Sequence, residues 1–494
     1  MGEAALVAID QGTSSSRAIA FSTRGELLAI EQQSFGQIYP ASGWVEHDPE
    51  VLWATVLSTL RALLEQLRGL GHQVLAVGLT NQRETALVWN RRTGAPLHNA
   101  IVWQDRRTAR LCADLARAGH EAEVADKTGL RLDPYFTSTK LAWILDHVPG
   151  ARAAAQAGEL AFGTVDSFLI WRLTGGALHV TDASNASRTA LYDINRDAWD
   201  QGLCELFRVP HRCLPEVRDS AGDFGSTAVE LLGEALPIRG VAGDQQAALI
   251  GQGCIVEGAA KSTFGTGAFL VLNTGTRRLR SHSQLLGTIA YRIAGRTTYA
   301  LEGSILSAGS TIQWLRDGLG LFTRTEELEA LAASVADTGG VFVVPAFTGL
   351  GAPYWDPDAR AGILGLNRAT GRAELARAGL DSVVYQTRDL LDAMAADGVA
   401  PALLKVDGGM ARNGLFLQRL ADVLAVPILR PRTAESSAFG AACLAGLGAG
   451  VYGSLQEVAE LWQADLRCLP TLDAAERERQ IAGWRAAVKR VRSG

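Results

Sequence analysis

The sequence lacks the cysteine and histidine patterns from which disulfide frameworks and zinc sites are built. None of its six cysteines belongs to a C-x-x-C pair, and its eight histidines show no H-x-x-H or H-E-x-x-H spacing. Scattered cysteines of this kind are typical of reduced thiols, so we expect a cytoplasmic protein without a structural zinc ion.

A strong excess of one charge is also absent. Lysine and arginine number 47 against 52 aspartates and glutamates, a net charge of −5. Because no basic stripe is visible, nucleic acid is not an expected partner. The first residues show no signal-peptide pattern, and the one long charge-free run, residues 436–456, is rich in glycine and alanine. That composition favours a buried helix and turn over insertion into a membrane.

The chain is long enough for more than one domain. It has 494 residues, of which 47% are hydrophobic and 20% are charged, and these values suit two or more globular domains with a cleft between them. No proline- or serine-rich linker separates two halves. We therefore place the boundary near residues 251–257 and predict closely packed domains at 1–250 and 251–494.

Hydrophobic patterning predicts an α/β fold with a duplicated plan. Short strands at residues 5–9 and 18–21 are separated by a Gly-Thr turn, and the same pattern recurs at 260–264 and 268–273. Further helices are predicted at 49–67, 106–118, 326–335 and 373–395, and further buried strands at 74–79, 160–163 and 341–345. We expect mixed sheets flanked by helices.

The first predicted turn is a candidate phosphate site. Gly12 lets the backbone approach a ligand closely, consecutive amides in such a turn can point at phosphate oxygens, and Arg17 supplies a guanidinium. Asp10, at the strand end, suits Mg²⁺ held through water. The hydroxyl donors are Thr13, Ser14 and Ser15. No Walker motif occurs here, and a plain polar hairpin is the alternative.

Two further glycine turns are weaker candidates for a phosphate or nucleotide site. Residues 265–267 (Gly-Thr-Gly) separate two predicted strands, and residues 407–409 (Asp-Gly-Gly) precede a helix that opens near Asn413. A glycine pair at the start of a helix can receive a phosphate or an adenine group. Plain turns are the alternative for both.

Polar residues at two strand ends suggest a polyol site. Arg83 and Glu84 follow a predicted strand, where one could donate to a hydroxyl and the other accept from it; a surface salt bridge is the alternative. Asp244 lies between a predicted strand and a helix and could accept a proton from a substrate hydroxyl, although helix capping is commoner at such a junction. Candidate apolar walls, or else ordinary core residues, are Trp103, Tyr135 and Phe269.

Together these motifs resemble the FGGY family of carbohydrate kinases, from residue 5 to about residue 490. The matching strings are IDQGTSSSR at residues 9–17, GWVEHDP at 43–49, TNQRET at 80–85, AIVWQDRRT at 100–108, AGDQQAA at 242–248 and PAFTGLGAPYWDP at 345–357. Residues 135–147 and 361–381 are similar to the two family signatures, with Gly379 departing from the usual residue.

The resemblance implies two ribonuclease-H-like domains of the actin-like ATPase kind, duplicated around a cleft. It also implies ATP-dependent phosphorylation of glycerol to sn-glycerol 3-phosphate, with Asp244 as general base and Asp10 near Mg²⁺. The implied glycerol contacts are Arg83, Glu84, Trp103, Tyr135, Asp244, Gln245 and Phe269. The implied phosphate and nucleotide contacts are Thr13, Ser14, Ser15, Arg17, Thr266, Gly309, Gln313, Gly409 and Asn413. Glycerol and ATP or ADP are the expected partners, and members are often homodimers or homotetramers.

Two other functions remain open. A kinase for another polyol or a ketose would need a more open and more polar pocket than Trp103 and Phe269 suggest. A nucleotide-switched binding protein of the actin-like class would have no need of polyol residues. The stretch before residue 242 also lacks the paired glycines of members inhibited by fructose 1,6-bisphosphate and carries Glu234, so we do not expect that inhibition.

Overall fold

Two mixed β-sheets, one in each half of the chain, organise the computed structural model, which describes residues 3–493. The strands of the first half are β1 (Ala4–Gln11), β2 (Ser15–Ser22), β3 (Leu27–Ser34), β4 (Glu46–His47), β5 (Gln73–Asn81), β6 (Leu87–Asn90), β7 (Ala100–Ile101), β8 (Leu160–Gly163), β9 (Val180–Asp182), β10 (Tyr192–Asp193), β11 (Ala198–Trp199), β12 (Glu216–Arg218) and β13 (Ile238–Gly243). The strands of the second half are β14 (Ala260–Phe264), β15 (Ala268–Gly275), β16 (Leu286–Ile293), β17 (Arg296–Ile305), β18 (Phe342–Val344), β19 (Gly362–Leu364), β20 (Leu404–Asp407), β21 (Ile428–Pro431) and β22 (Ala464–Cys468).

Helices cover the sheets and fill the connections between strands. They are α1 (Pro49–Gly69), α2 (Ala109–Arg117), α3 (Glu121–Thr128), α4 (Thr137–His147), α5 (Ala151–Ala157), α6 (Val165–Leu173), α7 (Ala183–Ala186), α8 (Gln201–Leu206), α9 (Val229–Leu232), α10 (Asp244–Gly251), α11 (Gly309–Gln313), α12 (Glu327–Ala333), α13 (Arg372–Ala396), α14 (Gly414–Leu424), α15 (Ser436–Gly448), α16 (Leu455–Glu460) and α17 (Ala474–Val491). Across residues 3–493, every helix falls short of the length or the hydropathy that a bilayer span requires.

The two sheets repeat one strand plan. The first has the order β13-β5-β1-β2-β3, with β1 antiparallel to β2 and parallel to β5. The second contains the equivalent order β21-β20-β14-β15-β17, with β14 antiparallel to β15 and parallel to β20. The predicted duplication is therefore confirmed. In each sheet a tight turn joins the central strand to its antiparallel neighbour.

Helix α15, from the second half, packs on the sheet of the first half. A Cβ atom added to Gly78 on β5 would lie 2.0 Å from the Ala441 carbonyl oxygen, and one on Gly440 would lie 1.8 Å from that of Ala247 on α10. Glycine is therefore needed for this close approach. Because one hydrophobic core draws side chains from both halves, the halves pack closely. The charge-free run forms a largely buried helix and a turn that is mostly exposed.

Candidate active site

A cavity of 180 Å³ lies between the two halves of the chain, beside both tight turns. Its lining consists of Thr13, Arg83, Glu84, Trp103, Gln104, Tyr135, Asp244, Gln245, Thr263, Gly265, Thr266, Gly267 and Phe269. All seven residues of the implied glycerol set are among them. The structure therefore brings together side chains that are widely separated in the sequence.

Strand topology explains why Arg83 and Asp244 meet. Strands β5 and β13 run parallel, and their last residues, Asn81 and Gly243, are paired in register. The polar residues that follow both strands therefore emerge at the same edge of the sheet. Arg83 Nε lies 3.2 Å from Asp244 Oδ1.

The Arg83–Glu84 pair is buried, which rules out the surface salt bridge. The two residues are 3% and 1% exposed. Arg83 Nη1 lies 2.5 Å from Oε2 of Glu302, a residue of β17 in the second half. Glu84 Oε1 accepts a 2.6 Å hydrogen bond from Arg188 Nε, and Arg188 also donates to Glu302. Two guanidinium groups and two carboxylates thus form one charge-balanced network beneath the cavity.

Glu302 and Arg188 are site residues that the sequence patterns did not single out. Burial would raise the pKa of Glu302, but Arg188 and Arg83 outweigh it and lower that pKa to about 2. Glu302 is therefore ionised at neutral pH. The available signal was a lone charged residue inside an otherwise uncharged stretch, YALEGSI for Glu302 and NASRTAL for Arg188, because a buried charge needs a partner.

The backbone at Glu84 is held in an unfavourable conformation. Its φ angle is +59°, a left-handed value that costs a non-glycine residue about 1–3 kcal/mol and persists only when the surroundings enforce it. The Arg188 hydrogen bond supplies such a constraint on the Glu84 side chain. Residues held this way cluster at functional sites, in agreement with the position of Glu84 in the cavity wall.

Asp244 is the first residue of α10, and Gly243 occupies the N-cap position. Its side chain is 31% exposed and faces the cavity, while Oδ1 accepts a 2.8 Å hydrogen bond from the Gln245 amide. Burial raises the pKa of Asp244; Arg83 and Lys261 oppose that rise, and Asp10 reinforces it. A carboxylate with these surroundings can accept a proton from a bound hydroxyl.

Three aromatic rings also line the cavity. Trp103 contacts Tyr135 and Phe269 edge-on, with ring centroids 5.8 and 6.1 Å apart. Its indole Nε1 donates a 3.0 Å hydrogen bond to Thr13 Oγ1 in the first turn. These rings offer an apolar surface beside the charged network: the Arg83 guanidinium lies 5.7 Å from the Phe269 ring centroid and that of Arg188 lies 5.4 Å from the Tyr135 centroid. The cavity therefore suits a small ligand that has both apolar and polar groups.

In the first turn, Arg17 is already paired with carboxylates. Its guanidinium donates to Asp10 Oδ2 at 2.5 Å and to Glu435, a residue of the second half. Thr13 lines the cavity, Ser15 is half-buried and Ser14 is exposed. A phosphate group at this turn would therefore share Arg17 with Asp10 and Glu435.

The carboxylate oxygens around Asp10 fit Mg²⁺ as ligands. Asp10 is 3% exposed. Its Oδ2 accepts the Arg17 bond, and within residues 3–493 no hydrogen bond is made to its Oδ1. The Asp244 carboxylate is near, since the charge of Asp10 raises the pKa of Asp244. Protein Mg²⁺ sites commonly combine one or two carboxylates with waters and substrate phosphates, and these residues meet that requirement.

The implied nucleotide residues lie around the second turn. The Gly309 amide donates a 2.9 Å hydrogen bond to the Gly265 carbonyl oxygen, and a Cβ atom on Gly408, next to Gly409, would lie 2.5 Å from the Phe264 carbonyl oxygen. Of the five residues expected to contact nucleotide, Thr266 lines the cavity. The other four are Gly309 and Gln313 on α11, Gly409, and Asn413, which caps α14 by accepting from the Phe416 amide.

Comparisons with known proteins show which family the sequence matches. The models of the N- and C-terminal domains of the FGGY family of carbohydrate kinases match residues 5–251 and 260–449. A curated relative from Rhodospirillum centenum, named glycerol kinase, is 57% identical over 100% of this chain and 99% of its own length. Another so named, from Methylobacterium nodulans, is 57% identical over 98% of this chain and 97% of its own length.

A solved structure shows that the similarity extends to the three-dimensional fold. The Plasmodium falciparum glycerol kinase structure with ADP has a TM-score of 0.93 at 34% sequence identity, and the match covers 99% of this chain and 98% of that one. The duplicated sheets thus have the actin-like ATPase fold shared by such kinases. The chain belongs to the FGGY family of carbohydrate kinases.

Proposed function

We propose that this protein transfers the γ-phosphoryl group of ATP to glycerol, forming sn-glycerol 3-phosphate and ADP. The observation that carries the proposal is the 180 Å³ cavity, whose lining combines charged side chains with three aromatic rings. Glycerol matches such a lining, because it carries three hydroxyls and also has C–H surface. The full-length similarity to relatives named glycerol kinase supports the choice.

Each residue of the implied glycerol set then has a chemical role. Arg83 and Gln245 donate to glycerol hydroxyls, Glu84 accepts from one, and the Tyr135 hydroxyl lies at the same wall. Trp103 and Phe269 contact the carbon side. Because these groups are held before substrate arrives, they fix which hydroxyl faces the phosphate.

Asp244 acts as the general base. As the glycerol oxygen forms its bond to the γ-phosphorus, the hydroxyl proton passes to the Asp244 carboxylate, and the bond to the ADP oxygen breaks. Phosphoryl transfer demands alignment and charge neutralisation more than covalent work by the protein. Arg83, 3.2 Å from Asp244, keeps the carboxylate ionised and oriented.

The two turns hold ATP from both halves of the chain. In this proposal the phosphates contact Thr13, Ser14, Ser15 and Arg17 of the first turn, and the nucleotide contacts Thr266, Gly309, Gln313, Gly409 and Asn413 of the second half. Asp10 would hold Mg²⁺ through water, and the ion would offset the negative charge of the phosphates.

The proposal also covers the domain bounds, the location in the cell and the assembly of the protein. The chain has an N-terminal domain at 1–250 and a C-terminal domain at 251–494, and it works in the cytoplasm as a homodimer or homotetramer. Light scattering of the purified protein tests the last point, since assembly would give two or four times the 52.5 kDa chain mass.

The proposed activity is tested by measuring ADP release with Mg-ATP and a panel of acceptors: glycerol, dihydroxyacetone, xylulose, ribulose and gluconate. We expect a clear preference for glycerol, because the three rings leave little room for a longer sugar. Activity on a longer sugar alone would overturn the pocket assignment. ATP binding without turnover on any acceptor would favour a nucleotide-switched binding protein.

A further inference from the structure

Lys261 is a buried amine next to the cavity that the mechanism above does not use. It lies on β14 and is 0% exposed. Its Nζ donates hydrogen bonds to Gln245 Oε1 and, at 3.0 Å, to Thr263 Oγ1. Gln245 and Thr263 both line the cavity, so Lys261 contacts the cavity wall from behind.

The charge of Lys261 is compensated by carboxylates on the neighbouring elements. Burial lowers the pKa of Lys261 to about 8; Asp407 on β20 and Asp244 on α10 oppose that shift, Arg83 adds to it and Glu302 opposes it. Asp407 pairs in register with Thr263, and its buried Oδ1 has no hydrogen-bond partner within residues 3–493. At neutral pH the amine is therefore protonated and has donors but no acceptor.

Because the Lys261 ammonium group can only donate hydrogen bonds, it fixes how the Gln245 and Thr263 side chains are oriented. The Gln245 side chain must turn Oε1 toward Lys261, so its Nε2 hydrogens are left for the cavity. Thr263 Oγ1 accepts from Lys261 as well, so its own hydrogen is free to donate elsewhere. Next to them, the Asp244 carboxylate is an acceptor.

We infer that Lys261 is a positioning residue that makes Gln245 and Thr263 hydrogen-bond donors toward the substrate. The inference rests on the proposed phosphorylation of glycerol and extends it to a residue that does not touch the substrate. The wall then offers two donors beside one acceptor. A glycerol oxygen next to the attacking hydroxyl would accept from Gln245 while the attacking hydroxyl donates to Asp244.

The test is a double-mutant cycle between Lys261→Met and Gln245→Ala, read as steady-state constants for glycerol and ATP. Gln245→Ala should raise the glycerol KM about tenfold, the value of one lost hydrogen bond, and Lys261→Met should raise it at least as much, because Thr263 is released as well. At a pH high enough to ionise Asp244 in every variant, kcat and the ATP KM should stay within about twofold of wild type. The double variant should be no worse than Lys261→Met alone. Lys405→Met is the matched control: Lys405 pairs in register with Lys261, but its Nζ donates to the Gln252 carbonyl oxygen at 2.6 Å, outside the cavity lining.

A second variant keeps the test decisive if Lys261→Met does not fold. Gln245→Glu has the same shape and preserves a bond to Lys261, but it replaces the cavity-facing donor by an acceptor. Its glycerol KM should rise at least as much as that of Gln245→Ala; a wild-type KM would overturn the inference. So would additive effects in the cycle, or a wild-type KM in Lys261→Met. A wild-type enzyme inactive on glycerol would instead overturn the proposed function.

Discussion

At the scale of single residues, the site depends on charges that are buried together. Glu302 contacts both Arg83 and Arg188, and neither it nor Arg188 is accessible to water. Removing one partner of a buried ion pair leaves the other charge without compensation. The network is therefore a constraint on stability as well as a frame for the substrate.

Replacing Glu302 by Gln should lower the free energy of unfolding by about 3–5 kcal/mol, because two guanidinium groups lose their shared carboxylate. Urea denaturation measures the change. The control is Glu257→Gln, since Glu257 and its partner Arg277 are about half exposed and such a pair contributes about 1 kcal/mol or less. Equal losses in the two variants would contradict this view of the network.

The pH dependence of catalysis should report Asp244. A general base must be ionised, and burial raises the pKa of Asp244, so kcat/KM for glycerol should fall on the acid side at a pH above the ordinary aspartate value of ~4. The measurement is kcat/KM between about pH 4 and 8, with circular dichroism showing that the fold persists. If kcat/KM fell only near the ordinary aspartate pKa, the raised pKa of Asp244 would be contradicted.

Residue by residue, the sequence predicted the parts of the site that lie at strand ends. Arg83, Glu84 and Asp244 stand where an apolar run stops, and the structure brings them into one cavity. Glu302, Arg188 and Lys261 lie inside short segments that are otherwise uncharged, and their partners are up to 219 residues away along the chain. Such pairings depend on the tertiary fold, which local patterns do not encode.

At the scale of elements, local signals predicted well where they were strong. Strands β8 and β14 have the predicted bounds, and α1 begins at Pro49, with the Asp48 side chain accepting from the Glu50 amide. Helix α2 was predicted from residue 106 but begins at Ala109. The reason is tertiary: the Arg107 guanidinium bonds Glu46 and lies 3.9 Å from the Trp44 ring, which holds this segment out of the helix.

The packing of α15 against α10 allows a second stability test. Gly440→Ala should lower the free energy of unfolding by about 3 kcal/mol or more, because the added Cβ would lie 1.8 Å from the Ala247 carbonyl oxygen. Gly69→Ala, at the end of α1, is the control: no atom lies within 4 Å of its added Cβ, so its stability should rise by up to about 1 kcal/mol. Thermal unfolding compares them, and a neutral Gly440→Ala would mean that the two helices are less closely packed.

At the scale of the whole molecule, the site exists because the two halves meet. Glu302 of the second half holds Arg83 of the first, and Glu435 of the second half pairs with Arg17 of the first. The paired Gly-Thr turns predicted the duplication of the sheets, and the duplication places both turns beside one cavity. The ion pairs that join the halves have no local sequence signal.

Phosphoryl transfer to glycerol with Asp244 as the base is tested by ³¹P NMR of a reaction with Mg-ATP and glycerol, run for the wild-type protein and for Asp244→Asn. We expect glycerol 3-phosphate and ADP from the wild type, and a rate lower by about 10²–10⁴-fold in the variant, with glycerol binding by calorimetry within severalfold of wild type. Wild-type turnover that yields inorganic phosphate instead, or an Asp244→Asn variant as fast as wild type, would contradict this mechanism.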